Sequence, residues 1–133
     1  DSDEIAVHCE KQGIEVIRRP TSLGGDTPII DVYRHALENT ASTNIKAIIG
    51  LQVDHPDRTV SIDDAYAMFR EKDVDRLSST EADGTKNGAH YILSRHFLDT
   101  NELRSEYSII DDCTNIHYQE DLDKAALNLL KDK

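Results

Sequence analysis

Three polar side chains, Gln52, Asp54 and His55, stand in the run "LQVDHP" immediately after the β-forming residues Ile45 to Ile49. A strand that enters a core is apolar until it leaves, so polar groups at its carboxyl end either begin a solvated loop or line a crevice. Other arrangements that do chemistry are missing. No serine sits in a G-x-S-x-G elbow, and the six histidines are scattered without H-E-x-x-H or a close pair on one helix face. His35 and His96 read as ordinary surface residues. Cys9 and Cys113 match no zinc or redox spacing and suit reduced packing thiols.

The elements that must position this run follow from periodicity and punctuation. Ser2 can cap a helix bearing Ile5, Ala6 and Cys9, with Gly13 placed to stop it and "IEVI", Ile14 to Ile17, reading as a short strand. A long loop over "RRPTSLGGDTPII" leads to a helix capped by Asp26, with Ile29, Ile30, Tyr33, Ala36 and Leu37 on its apolar stripe. "IKAIIG" lacks alternation, which predicts a strand buried on both faces. Ser61 and Asp64 form an S-x-x-D box before a helix with Ile62, Ala65, Tyr66 and Phe69. Strands at Arg76 to Thr80, at "AHYILS" and at "YSII" follow, with a helical turn at "RHFLDT" and a final helix carrying Leu122, Ala125, Ala126, Leu129 and Leu130. Repeated helix and strand units predict an α/β fold, a mostly parallel sheet flanked by helices, with ligand loops at the carboxyl ends of its strands. A chain that opens on a helix also reads as incomplete at its amino end.

Length and charge bound the partners. The 133 residues suit one domain, 1–133. With 31% charged residues and a formal net charge of −11, the surface would repel a phosphate backbone, so nucleic acid is a poor partner. No apolar run approaches the roughly 20 residues of a membrane span, and "DSDEIAVHCE" has neither the basic start nor the apolar centre of a signal peptide. A cytoplasmic protein is the expectation.

The order "DSDEIA", "RRP" with "GGDT", "LQVDHPDRT", "NGAHYI" and "NIHYQEDLDKA" resembles the acylneuraminate branch of the cytidylyltransferases that activate acidic sugars. That family carries T-D-S/D-D-E-I-A, an R-P followed by D-T, L-Q-P-T-S-P-L-R-T, N-G-A-I-Y and D-I-D-T-P-E-D-L in the same order. The resemblance covers nearly the whole chain. It implies a nucleotide-diphospho-sugar transferase type of α/β fold, with a sugar hydroxyl attacking the α-phosphate of CTP. It also implies magnesium as cofactor, pyrophosphate as product, CTP and an acidic sugar of the sialic acid type as ligands, and a homodimer as one assembly.

Residue by residue, the resemblance places Arg19 and Gly25 at the nucleotide; outside it, Arg19 reads as a solvated loop charge and Gly24-Gly25 as a turn. It places Gln52, Arg58 and Asn87 at the sugar. Asp54 and His55 stand where the family has threonine and serine, and "QVDHP" is similar to the Q-G-D-E-P of the ketodeoxyoctonate enzymes, whose aspartate meets the metal. Asp54 would thus give magnesium a hard carboxylate oxygen, or else cap the following turn. Asn115 and His117 occupy the positions of two further metal aspartates. An amide oxygen can still ligate, whereas imidazole suits zinc or manganese better, and His117 reads equally as a solvent-facing residue at a helix start. Asp111 and Asp112 lie just upstream and could compensate. The family's A-R-x-G-S-K loop is not found in these 133 residues, and the segment before "NGAHYI" is short where the family inserts a dimerising arm. Two alternatives remain: a noncatalytic binding or assembly domain that keeps the sheet, and a nucleotidyltransferase with another acceptor, such as molybdopterin or a neutral sugar phosphate.

Overall fold

A computed structural model describes residues 2–131, which divide into one unit ending at Ile45 and another starting at Lys46. In the first unit, α1 (Asp3–Lys11) starts as its sequence predicts: the Ser2 side chain accepts the Ile5 N–H at 3.4 Å, and Asp3 and Glu4 sit in the first turn, where the helix dipole favours negative charge. It ends on Gly13, whose φ of +76° is a left-handed conformation that glycine adopts without strain. The Gly13 and Ile14 N–H groups then bond back to Glu10 O and Cys9 O, each at 3.0 Å, the paired closure of a Schellman turn.

The expected strand at Ile14 to Ile17 does not form. A strand needs a neighbour for its N–H and C=O groups, and among the described residues 14–17 enter no strand pairing. Arg18 beyond it forms an ion pair with Asp3. The next helix, α2 (Ile29–Asn39), begins later than Asp26 implied, with Pro28 at its cap. Thr27 is drawn into the preceding turn, where its hydroxyl donates to Gly24 O at 2.9 Å and Gly25 sits at φ +61°.

The second unit holds the sheet and its core. In chain order it comprises β1 (Ala47–Gly50), α3 (Ile62–Lys72), β2 (Arg76–Thr80), β3 (Lys86–Ser94), α4 (Arg95–Thr100), β4 (Glu106–Ile110) and α5 (Gln119–Lys131). The α/β class holds, but the sheet is mixed. Its order is β1-β3-β2-β4; β3 runs antiparallel to both β1 and β2, and only β2 and β4 pair in parallel. The cause is the connection from β2 to β3. Residues 81–85 close a hairpin, with the Glu81 N–H on Thr85 O at 2.8 Å and Gly84 at φ +89°, and a connection this short joins antiparallel strands only.

Strands β1, β2 and β4 nevertheless point the same way, so their carboxyl ends share one edge of the sheet. The core lies between α3 and one sheet face, where Ala65, Phe69, Val74, Leu77, Ile92 and Ile109 are buried together with Ala47, Ile49, Val60, Tyr66 and Met68 packed against them. The Ser61 hydroxyl accepts the Asp64 N–H at 3.0 Å and starts α3 as its motif predicts. Among the described residues no helix is long and apolar enough to cross a membrane.

The ladder between β2 and β3 is interrupted once. Ser78 pairs with Tyr91 but Ser79 pairs with Asn87, so Gly88, Ala89 and His90 bulge out of it. β1 has no residues opposite them either, since its Gly50 pairs with Tyr91.

Candidate functional site

The bulge leaves three residues of main chain needing hydrogen bonds; Ser79 Oγ meets the His90 main chain and the Asn87 side chain the Ala89 N–H, and the loop after β1 supplies the other three. Gln52 N–H donates to Gly88 O at 3.3 Å, the Gly88 N–H donates to His55 Nε2 at 3.4 Å, and Arg58 Nε donates to Ala89 O at 2.7 Å. Arg58 also reaches back to Gln52 O at 2.7 Å and so ties the loop to itself. Gly88 also makes room for the loop. A Cβ there would lie 1.9 Å from Gln52 Oε1 and 2.3 Å from Gln52 Cδ, so the Gln52 carboxamide occupies the space that the missing side chain leaves.

Two buried carboxylates anchor the rest of the loop. Asp111, directly after β4 and fully buried, accepts the Thr59 N–H and hydroxyl on Oδ1, both at 2.9 Å. Its Oδ2 accepts the Val60 N–H at 3.0 Å and meets His90 Nε2 at 3.0 Å. Burial raises its pKa, but the Thr59 and Val60 N–H groups, the Thr59 hydroxyl and His90 outweigh that and hold it below the ordinary carboxylate value. Asp57 accepts the Thr114 N–H and hydroxyl and the Asn128 amide of α5, each at 2.8 Å, and these bonds likewise overcome burial and lower its pKa. Both oxygens of Asp111 are thus engaged in folding the loop, and its carboxylate is not presented as a substitute metal ligand.

The residues singled out by the sequence fall into two sets. Arg19 and Gly25 belong to the first unit, where Arg19 borders a hollow of about 280 Å³ with Ile5, Cys9, Ile14 and Ile17. Gln52, Asp54, Arg58, Asn87, Asn115 and His117 belong to the second, along the edge formed by the carboxyl ends of β1 and β4. Asn87 braces the bulge: its Nδ2 donates to Asp111 O at 2.8 Å, and its Oδ1 accepts the Ser79 hydroxyl at 2.6 Å and the Ala89 N–H at 3.2 Å. Asp54 O accepts the Ile116 N–H at 2.9 Å, which lays the loop after β1 beside the segment holding Asn115 and His117.

Asn115 Oδ1 is buried and has no hydrogen-bond partner among the described residues. His117 is exposed. Its N–H and that of Tyr118 both donate to Asp121 Oδ2 at 3.0 Å, a carboxylate reaching back over the start of α5. Among the described residues, no three or more His, Cys, Asp or Glu side chains form a group that could hold a metal ion. Cys113 lies nearby with its thiol pushed up to about 11 by burial and by Asp111 and Asp57, which keeps it protonated and poorly nucleophilic.

The parts that sequence reasoning missed are Asp57, Gly88 and His90, together with the true task of Asp111. An aspartate just past a strand and a glycine inside an N-G-A run were the available signals, but which backbone groups lacked partners was not legible without the bulge. No protein-family model matches the chain, and no curated protein matches its sequence.

Proposed function

We propose that the chain is a nucleotidyltransferase-like domain serving the transfer of CMP from CTP to an acidic sugar of the sialic acid type. In that reaction the oxygen of a sugar hydroxyl bonds to the α-phosphorus and its proton passes to water, while the bond from that phosphorus to the bridging oxygen breaks and pyrophosphate leaves with the electron pair. The observation that carries this reading is the bond from Ile116 N–H to Asp54 O, because it sets side by side the two segments whose residue types suit a metal. Asp54 offers a carboxylate oxygen and Asn115 an unpartnered amide oxygen. Magnesium keeps several waters and binds through one or two carboxylates plus substrate phosphates, so the Asp54 carboxylate would be its main protein ligand here, with the buried Asn115 oxygen nearby in the adjoining segment. Asp54 and Asn115 would hold the ion, with His117 contributing less, and magnesium bound there would neutralise charge on the phosphates.

The chain's own groups would then orient the sugar. The Gln52 carboxamide, exposed above Gly88, presents both a donor and an acceptor, while Arg58 retains N–H groups beyond the two that hold the loop. Arg19 and Gly25 are proposed for the nucleotide on the resemblance alone.

A noncatalytic binding or assembly domain is the second reading. It is favoured by the inward-facing bonds of Arg58 and Asn87 and by a net charge of −11 with no basic phosphate loop in these residues. Because that loop is missing, weak CTP binding and little turnover are expected of the chain alone. Titration of magnesium with CTP into the 15N-labelled chain separates the readings. The amides of Asp54, Gly88 and Ile116 should shift, Asp54→Asn should abolish the shifts, and His117→Ala should largely preserve them. Shifts that are absent, or that survive Asp54→Asn, reject the enzymatic reading.

A further inference from the structure

His55 is the most buried member of the loop after β1, with 1% of its surface exposed, and both of its ring nitrogens are engaged. The Gly88 N–H can only donate, so His55 Nε2 is the acceptor of that 3.4 Å contact. The hydrogen therefore sits on Nδ1, which donates to Asp54 Oδ1 at 2.8 Å. Among the described residues Asp54 Oδ2 has no hydrogen-bond partner, and 42% of the Asp54 side chain remains exposed. The imidazole is thus a rigid spacer: one nitrogen is fixed to the bulge of β3 and the other grips a carboxylate by one oxygen, leaving the second free.

We infer that His55 is a positioning residue, which turns the Asp54 carboxylate outward toward a hard divalent cation and keys its orientation to the Gly88 main chain. The assignment rests on the reading of Asp54 as the metal carboxylate. Its chemistry is general: a carboxylate that ligates a metal is itself held by a hydrogen-bond donor, and removing such a donor typically weakens metal binding by about 10–100-fold. The bulge explains why histidine serves here. A regular β3 would pair its Gly88 N–H with a neighbouring strand, and His55 would lose the acceptor contact that fixes its tautomer.

Two conservative variants divide the two contacts. In His55→Asn the side-chain amide can replace Nδ1–H toward Asp54 but cannot reach Gly88; in His55→Gln the carbonyl can replace Nε2 toward Gly88 while the grip on Asp54 is lost. With Mn²⁺ as the probe, read as free ion by electron paramagnetic resonance on the full chain, Asp54→Asn should abolish binding. His55→Gln should weaken it by about 10–100-fold and His55→Asn should retain it. Circular dichroism confirms that each variant is folded.

Equal losses in the two variants would overturn the positioning role. Long-range 15N correlation of the wild-type imidazole gives a readout that needs no metal: a hydrogen on Nδ1 is expected, and one on Nε2 would overturn the assignment. Should the wild type bind no Mn²⁺, the metal reading of Asp54 fails. The positioning role is then decided by the Asp54 side-chain rotamer, which should stay fixed in His55→Asn and become averaged in His55→Gln; averaging in both would reject it.

Discussion

Asp111→Asn should be the most damaging single-atom exchange in the second unit. The native carboxylate faces donors on both oxygens: the Thr59 N–H and hydroxyl on Oδ1, the Val60 N–H and His90 Nε2 on Oδ2. An amide keeps one acceptor oxygen and points an NH2 at the other set. If the NH2 takes the Oδ1 place, the Thr59 hydroxyl can rotate but its N–H cannot. If it takes the Oδ2 place, the Val60 N–H is stranded, while the His90 Nε2 hydrogen keeps Val60 O at 3.1 Å as its acceptor. One partly buried main-chain donor loses its acceptor in either case, which costs about 1–3 kcal/mol.

That is a large share of the roughly 5–15 kcal/mol by which a domain is stable. With a urea dependence of about 1–3 kcal/mol per molar, the midpoint should fall by about 1 M at unchanged slope, followed by circular dichroism at pH 7. Exposed Asp112→Asn is the control. The native pKa of Asp111 lies below its unfolded value, so its stabilisation is complete above the unfolded value, about 3.9, and is lost as pH falls through the native one. The gap between wild type and Asp111→Asn should therefore narrow below about pH 4. A loss at pH 7 no larger than that of Asp112→Asn would refute the anchoring role.

Gly88→Ala should behave in the opposite manner, changing stability by less than about 1 kcal/mol because the exposed Gln52 side chain can swing aside. Acidic-sugar binding, read by saturation-transfer NMR, should nevertheless fall as it does in Gln52→Ala; undiminished binding would remove Gln52 from the sugar site. Asp75 is buried and held by Arg104 through Nε at 2.9 Å and Nη2 at 2.8 Å, with Ser94 at 2.7 Å, and the Arg104 guanidinium leads the causes that keep its carboxyl well below the usual range. Its contribution is complete above about pH 4 and disappears as pH falls through the lowered value, so Asp75→Asn should flatten the acid limb of stability against pH. Parallel acid limbs in the two proteins would contradict it.

Local signals were readable where a side chain answers its own neighbours. The Ser2 and Ser61 caps, the Gly13 stop and the stretch Arg76 to Thr80 all appear where the residue types put them. What failed depended on partners distant in the chain. "IEVI" has β-forming residues but, among the described residues, pairs with no strand, and the unalternating run "IKAIIG" suggested a mostly parallel sheet although the hairpin after β2 sets β3 antiparallel to it. The polar run after β1 was recognisable as the end of a strand, and its Asp54 and Gln52 do lie at the shared edge of carboxyl ends. Asp57 and Asp111 could not be told from the rest of 26 acidic residues, because their distinction is burial against main-chain donors and not any local pattern.

The reach of that anchoring also governs how the chain emerges during synthesis. Residue 59 leaves the ribosome 52 residues ahead of the carboxylate that will fasten it, and the bulge that receives Gln52, His55 and Arg58 is itself made in between. Long-range closures of this kind are late events in folding, so the segment after β1 waits unfastened while half of the second unit is translated. A greasy segment left open for that interval would invite aggregation or chaperone capture. Hydrophilic side chains at 52, 54, 55, 57 and 58 let this one wait in water, which makes the polarity that marks the candidate site a safeguard for the nascent chain as well.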